Sequence, residues 1–409
     1  MRLPLPTLND VRVAEKTVLV RIDANAPYDV ATGKILDSER LRAHAKTLKE
    51  LSDNKAKTVV LAHQGREGSP SFVGLGQHAS LLSGHIGRPV VHVPDLVGDE
   101  AMRGIEMLKS GDILLLDNVR FMEEETQSRS AEEHSKSSLV TSLAPLCNLF
   151  VFDAFSVAHR AHASVIGFIP VLPSVVGRVM EVEMTGVDRA LNPERPNVFI
   201  LGGNKVGDCL GIMQFMLERN AVDKVLTAGV LGELSLISLG YELGEETMKF
   251  LESKGFVGFL RGVDSLLDDY GDVVNVPADV AYEDEGRRKE ARAEELPVDA
   301  QILDIGRRTA KAYSTVIGSA KTVVVKGPAG VYERQGFETG TREIFRSVAS
   351  SQGFTMVGGG DTVTALRKVG IEKSRFSYVS LAGGALITYL SGKKLPALEA
   401  LRAKGWASI

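Results

Sequence analysis

At 409 residues the chain is too long for one ordinary core and predicts two domains. With 44% hydrophobic and 24% charged residues it has the composition of a globular protein, and its net charge of −4 gives no ground for nucleic acid or an anionic membrane as partner. Two cysteines, Cys147 and Cys209, make neither a disulfide framework nor a zinc pattern and read as ordinary thiols of a reducing cytoplasm.

The opening MRLPLPTLND lacks the apolar core of a signal peptide. The most apolar stretch, SVIGFIPVLPSVVG, is about 14 residues broken by two prolines, too short to span a bilayer. The expected location is the cytoplasm. The run TVLVRID (17–23) predicts a strand whose carboxyl end presents Arg21, Asp23 and Asn25. LDSE then leads into Arg40, at the start of a helix striped by Leu41, Ala45, Leu48 and Leu51. A cation in a first helical turn opposes the helix dipole by up to about 1 kcal/mol, and a bound anion would reverse that sign.

Further strands are predicted at KTVVLAH (57–63), running into His63 and Arg66, and at PVVHV (89–93). DILLLDN (112–118) runs into Asn118 and Arg120, and NLFVFDA (148–154) opens DAFSVAHRAHAS (153–164), with Asp153, His159, Arg160 and His162. Two histidines three apart raise a metal site, a catalytic dyad or an anion pocket. No third ligand stands at a spacing that suits zinc. Arg40, Arg66, Arg120 and Arg160, at predicted carboxyl edges, instead match the geometry of carboxylate and phosphate. The anion pocket is favoured, with His159 and His162 shaping it and Asp153 orienting its shell.

PSVVGRVMEVEMTGVDRAL (173–191) carries Val176, Val179, Met180 and Val187 at helical spacing and predicts a helix joining the domains, ended by the prolines of NPERP. A second set of strands follows at NVFILGG (197–203), KVLTAG (224–229), DVVNVP (272–277), KTVVVKG (321–327), FTMVGGG (354–360) and FSYVSLAGG (376–384). YEDEGRRKEARAEEL (282–296) reads as a solvated loop or helix face. Continuous apolar strands alternating with helices predict an α/β protein of two doubly wound parallel-sheet, Rossmann-like domains joined by a helix and hinge.

Open α/β sheets bind ligands beyond the carboxyl ends of their strands. In the second half those ends are glycine-rich: LGGNKVGD, KGPAGVYE, VGGGDTVTAL and LAGGAL. Glycine admits phosphate to backbone N–H groups, and a helix N-terminus adds a favourable dipole. Asp361, otherwise a simple N-cap, suits Mg²⁺ beside bound phosphates, and Lys205 suits a transferring phosphoryl group. Neither a Walker motif nor a GxGxxG fingerprint is present. The residues alone point to phosphoryl transfer between a small anionic acid and a nucleotide.

In this order, VRIDANAP, HQGREG, LLLDNVRFMEEE, DAFSVAHRAHAS, GGNKVGD, DIGRRT, KGPAGVYE and GGGDT resemble the signatures of the phosphoglycerate kinase family along nearly the whole chain. AHQGR, the lean loops and LSGKKLPALEAL are similar to archaeal members. The resemblance implies that Asp23, Ala24, Asn25, Arg40, His63, Gln64, Gly65, Arg66, Arg120 and Arg160 bind 3-phosphoglycerate. It implies that Glu333 holds the ribose, that Gly203, Lys205, Gly358, Gly359, Gly360, Asp361 and Thr362 bind the ATP or ADP phosphates, and that Asp361 holds Mg²⁺. Arg40 and Lys205 are the expected catalytic pair. Expected bounds are 1–170 for the substrate domain, 171–191 for the joining helix and 192–390 for the nucleotide domain, with a tail, 391–409, returning to the first. Departures from the family pattern gather in the nucleotide half: Asn204, Cys209, the AGVLGEL turn, Lys326, and Leu381 and Leu386 in SLAGGAL.

The expected reaction moves a phosphoryl group reversibly between 1,3-bisphosphoglycerate and ADP, giving 3-phosphoglycerate and ATP. Both nucleophiles are ionised at neutral pH, so positioning and charge neutralisation suffice and no general base is needed. One rival is a relative with altered nucleotide use that clamps an anion without turnover. A two-domain dehydrogenase is disfavoured by the missing GxGxxG.

Overall fold

The computed structural model describes residues 5–404. They form two compact units: the described residues up to Thr185 together with those from Lys394 on, and Gly186–Lys393. The helix Arg178–Leu191 carries the chain from the first into the second.

The first unit is built on six parallel strands, in the spatial order Val90–His92, Ile113–Asn118, Lys57–Ala62, Thr17–Arg21, Leu149–Phe152 and Ser174–Val176. Side chains such as Val18, Leu19 and Val20 are wholly buried, as expected of strands covered on both faces. The helix Glu39–Asp53 lays the predicted stripe of Leu41, Ala45, Leu48 and Leu51 into this core. Ser174–Val176 corrects one expectation. Val175 and Val176 complete the sheet, and the helix read over 173–191 starts only at Arg178.

The second unit repeats the plan with Val274–Asn275, Lys224–Thr227, Asn197–Leu201, Thr322–Lys326, Phe354–Gly358 and Tyr378–Val379, again all parallel. Beside it lies a three-stranded antiparallel sheet of Arg287–Arg292, Asp279–Asp284 and Ile302–Ile305. The charged run 282–296 is thus largely a hairpin strand rather than a loop or helix face. Glu285 and Gly286, both at positive φ, supply its tight turn. Its charges decorate an edge strand, where they discourage further pairing. Arg288 turns inward to meet Asp304 at 2.8 Å.

After Lys393 the chain returns to the first unit. There Ala397 N–H donates to Ala158 O at 3.2 Å, and Leu398 and Leu401 of the helix Pro396–Lys404 are buried. Residues 405–409 of the expected tail, and 1–4 of the opening segment, lie outside the described residues. Among the described residues no helix is long and apolar enough to cross a membrane.

Candidate functional site

In each sheet the connections leave in opposite directions from one pair of adjacent strands, which opens a crevice at their carboxyl ends. In the first unit that pair is Thr17–Arg21 and Leu149–Phe152; in the second it is Asn197–Leu201 and Thr322–Lys326. A cavity occurs near each.

The first-unit cavity, about 620 Å³, is lined by Asn25, His63, Arg66, Arg120, Arg160 and His162 among others. Gly65 shapes its floor. Its φ is +66°, and a Cβ there would lie 2.4 Å from Ser71 O, so only glycine fits. Its N–H donates to Asn25 Oδ1 at 2.9 Å, and its carbonyl accepts from Arg120. Arg40 donates to Asn25 O at 3.2 Å and pairs with Asp23 at 3.2 Å. Burial would raise the Asp23 carboxyl; His63, Arg40 and the Ser156 hydroxyl facing it outweigh that and hold it below the usual carboxylate range.

Cations crowd this cavity. Burial, then Arg160 and Arg21, pull the Arg120 guanidinium down to about 10. Burial, followed by Arg21, holds His63 well below its ordinary value. His63 Nδ1 accepts from Arg21 Nη2 at 3.1 Å, which leaves Nε2 to carry the proton. A neutral histidine among three arginines is a hydrogen-bond donor aimed by its neighbours, and the arginines supply the charge an anion needs.

Ala24 and Gln64 lie beneath this face. Gln64 accepts from Ala26 N–H at 2.8 Å and donates to Ala26 O at 3.0 Å, which fixes the loop that carries Asn25. Asp153 does not orient the Arg160 shell as expected. It accepts from Val179 N–H at 2.8 Å and Met180 N–H at 3.2 Å, capping the joining helix, and from His44 Nδ1 at 3.0 Å. His44 Nε2 in turn accepts from Asp23 N–H at 3.1 Å. Sequence reasoning missed Glu125. It is a second buried carboxyl beside this site, accepting from Ser164 N–H at 2.8 Å and Ser164 Oγ at 2.6 Å, while Arg21 Nε donates to the same hydroxyl at 2.8 Å. Nothing in EEE distinguishes the third glutamate; only the 3₁₀ turn Glu123–Thr126 buries it.

The second-unit cavity, about 450 Å³, collects all four glycine-rich edges. Lys205 caps the helix Val206–Glu218, and Gly229, Gly360 and Gly383 are the first residues of three more helices. Four helix N-termini therefore contribute to one cavity, an arrangement suited to a polyanion. The strand ends are pressed together: Gly203 N–H donates to Pro328 O at 2.7 Å, and a Cβ on Gly327 would lie 2.0 Å from Gly202 O. Gly203, Lys205, Glu333, Gly359, Gly360, Asp361 and Thr362 all line the cavity. Gly358 stands behind them against Leu386, and Thr362 Oγ1 accepts from Gly327 N–H at 2.8 Å.

Asp361 is in the first turn of the helix Gly360–Lys368, whose N-cap is Gly359, and it pairs with Lys205 at 3.1 Å. Both side chains are more than half exposed, so the pair is easily exchanged for ligand contacts. Two departures from the family pattern touch one another. Lys326 Nζ, 6% exposed, donates to Cys209 Sγ and to Lys205 O, both at 3.3 Å. The ammonium therefore lies beside the glycine-rich loop, with Asp208 as a long-range ion-pair partner at 3.8 Å.

Comparison with known proteins finds relatives along nearly the whole chain. The family model for phosphoglycerate kinase matches residues 8–393. The phosphoglycerate kinase of Methanothermobacter thermautotrophicus is 43% identical over 396 residues, 97% of this chain and 96% of that one. That of Methanopyrus kandleri is 41% identical over 398 residues, 97% of each chain. The crystal structure of phosphoglycerate kinase from Pyrococcus horikoshii OT3 superposes with a TM-score of 0.89 at 33% identity, covering 99% of this chain and 100% of that one. The enzyme from Coxiella burnetii gives 0.85 at 29%, covering 98% and 100%.

Proposed function

The chain belongs to the phosphoglycerate kinase family, and from that premise we propose that it moves a phosphoryl group reversibly between 1,3-bisphosphoglycerate and ADP, giving 3-phosphoglycerate and ATP. What supports this most is a cation-ringed cavity in one unit and a cavity bordered by four helix N-termini in the other.

In this reading Asn25, His63, Arg66, Arg120 and Arg160 hold the phosphoglycerate, while Asp23, Ala24, Gln64 and Gly65 fix the loops that present them. Gly203, Lys205 and residues 359–362 hold the nucleotide phosphates, with Glu333 at the ribose. Asp361 fits Mg²⁺: it is a hard oxygen donor beside a phosphate cradle, and Mg²⁺ characteristically takes one or two carboxylates with substrate phosphates and water. When bound, the ion neutralises phosphate charge. Arg40 and Lys205 neutralise the charge that spreads over the transferred group, with no proton to move. The buried ammonium of Lys326 adds positive potential behind Lys205. Because acceptor and donor belong to separate units, transfer needs a hinge closure that joins them and excludes water. We further propose a cytoplasmic setting, with neither nucleic acid nor membrane as partner.

A coupled assay that supplies 1,3-bisphosphoglycerate and MgADP tests this. ATP formation is expected. Tight binding of phosphoglycerate with no ATP formed would instead support a non-catalytic anion clamp.

A further inference from the structure

Away from the phosphate cradle, much of the second-unit cavity is lined by apolar side chains, among them Leu236, Phe250, Pro277 and Leu303. One carboxyl interrupts them. Glu233 lies in the helix Gly229–Ser238, about one turn from the N-terminus that borders the cradle. It is 8% exposed, and its Oε2 has no hydrogen-bond partner.

The two other buried carboxylates described in this unit are plainly structural. Asp279 accepts from Thr309 N–H at 2.7 Å and Arg308 N–H at 2.9 Å; Asp304 accepts from Gly340 N–H at 2.8 Å and meets Arg288. Glu233 has no such support. Burial alone pushes its carboxyl up to about 8. A buried acceptor without a donor is destabilising, and its retention in a cavity wall calls for a donor from the ligand.

We propose that Glu233 accepts a hydrogen bond from the exocyclic amino group of the nucleobase and so selects adenine nucleotides. This rests on the kinase reading above, which seats the phosphates at Gly203, Lys205 and 359–362. The base then falls in the remaining, apolar part of the cavity, which suits a flat heterocycle. Adenine has one exocyclic donor, its 6-amino group. A carboxyl accepts through its carbonyl oxygen whether ionised or not, so the contact does not depend on its charge. Sites that pair a ligand's polar group reject analogues lacking it, because the protein group is then left unpaired.

Calorimetric titration of the full chain with ADP and with purine riboside diphosphate, which lacks only the 6-amino group, tests this. The wild-type chain is expected to bind ADP about tenfold more tightly. Glu233→Gln keeps an acceptor oxygen at the same reach and is expected to retain that preference. Glu233→Leu is expected to bind both ligands within about twofold of each other. Equal binding of the two by the wild-type chain would overturn the assignment, and that result needs no variant to fold. So would a preference that survives in Glu233→Leu, or GDP bound more tightly than ADP. Discrimination by the 6-amino group without phosphoryl transfer to 3-phosphoglycerate would support this assignment and contradict only the kinase reading.

Discussion

Arg40 stands in the first turn of the helix Glu39–Asp53, where the dipole disfavours a cation, and its partner there is the buried carboxylate of Asp23. A guanidinium held in an unfavourable place by a carboxylate is pre-positioned to neutralise an anion. Arg40→Ala is therefore expected to lower kcat by about 10³-fold while changing the KM for 3-phosphoglycerate far less. Steady-state kinetics check this, and near-normal kcat would remove Arg40 from the chemistry. At this scale the sequence is legible where charge and glycine follow a strand: Arg66, Arg120, Arg160, Lys205 and Asp361 all sit at the cavities. It is silent where burial assigns the role. Glu125 and Glu233 look like any surface glutamate until the fold encloses them, and Asp153, which draws the eye beside two histidines, serves a helix instead.

Elements were legible in proportion to how continuously apolar they are. All eleven predicted strands contain observed ones, because strands buried on both faces need unbroken β-branched runs such as TVLV and TVVV. The hairpin Asp279–Arg292 was not, since an edge strand tolerates charge that reads as solvent. Ser174–Val176 reads as part of a helical period because its valines serve either pattern. The joining helix Arg178–Leu191 depends on Asp153 for its cap and on the same carboxylate for its tie to His44. Asp153→Ala leaves two backbone N–H groups and a histidine N–H without their partner, and is expected to cost about 2–4 kcal/mol. A matching fall in the urea midpoint of the first unit is the readout; an unchanged midpoint would refute the capping role.

Across the whole molecule, buried histidines tie stability to pH. Burial lowers His78 to about 4 and, with Arg21 beside it, holds His63 well down, so both stay neutral in the folded chain. In the unfolded chain histidines take up protons near pH ~6.5. Between ~6.5 and 4 the unfolded state thus binds more protons, and stability falls as pH falls through that window. Urea midpoints at neutral and mildly acidic pH are expected to show this loss, with His78→Gln losing less than the wild-type chain. A midpoint independent of pH across that range would count against neutral buried histidines.

The proposed chemistry rests on an anion held in each unit. The most direct test is turnover of MgATP with 3-phosphoglycerate, measured as ADP release. The expected release requires the acid, saturates in both substrates and collapses in Arg40→Ala. Binding of both ligands with no acid-dependent ADP release would contradict it.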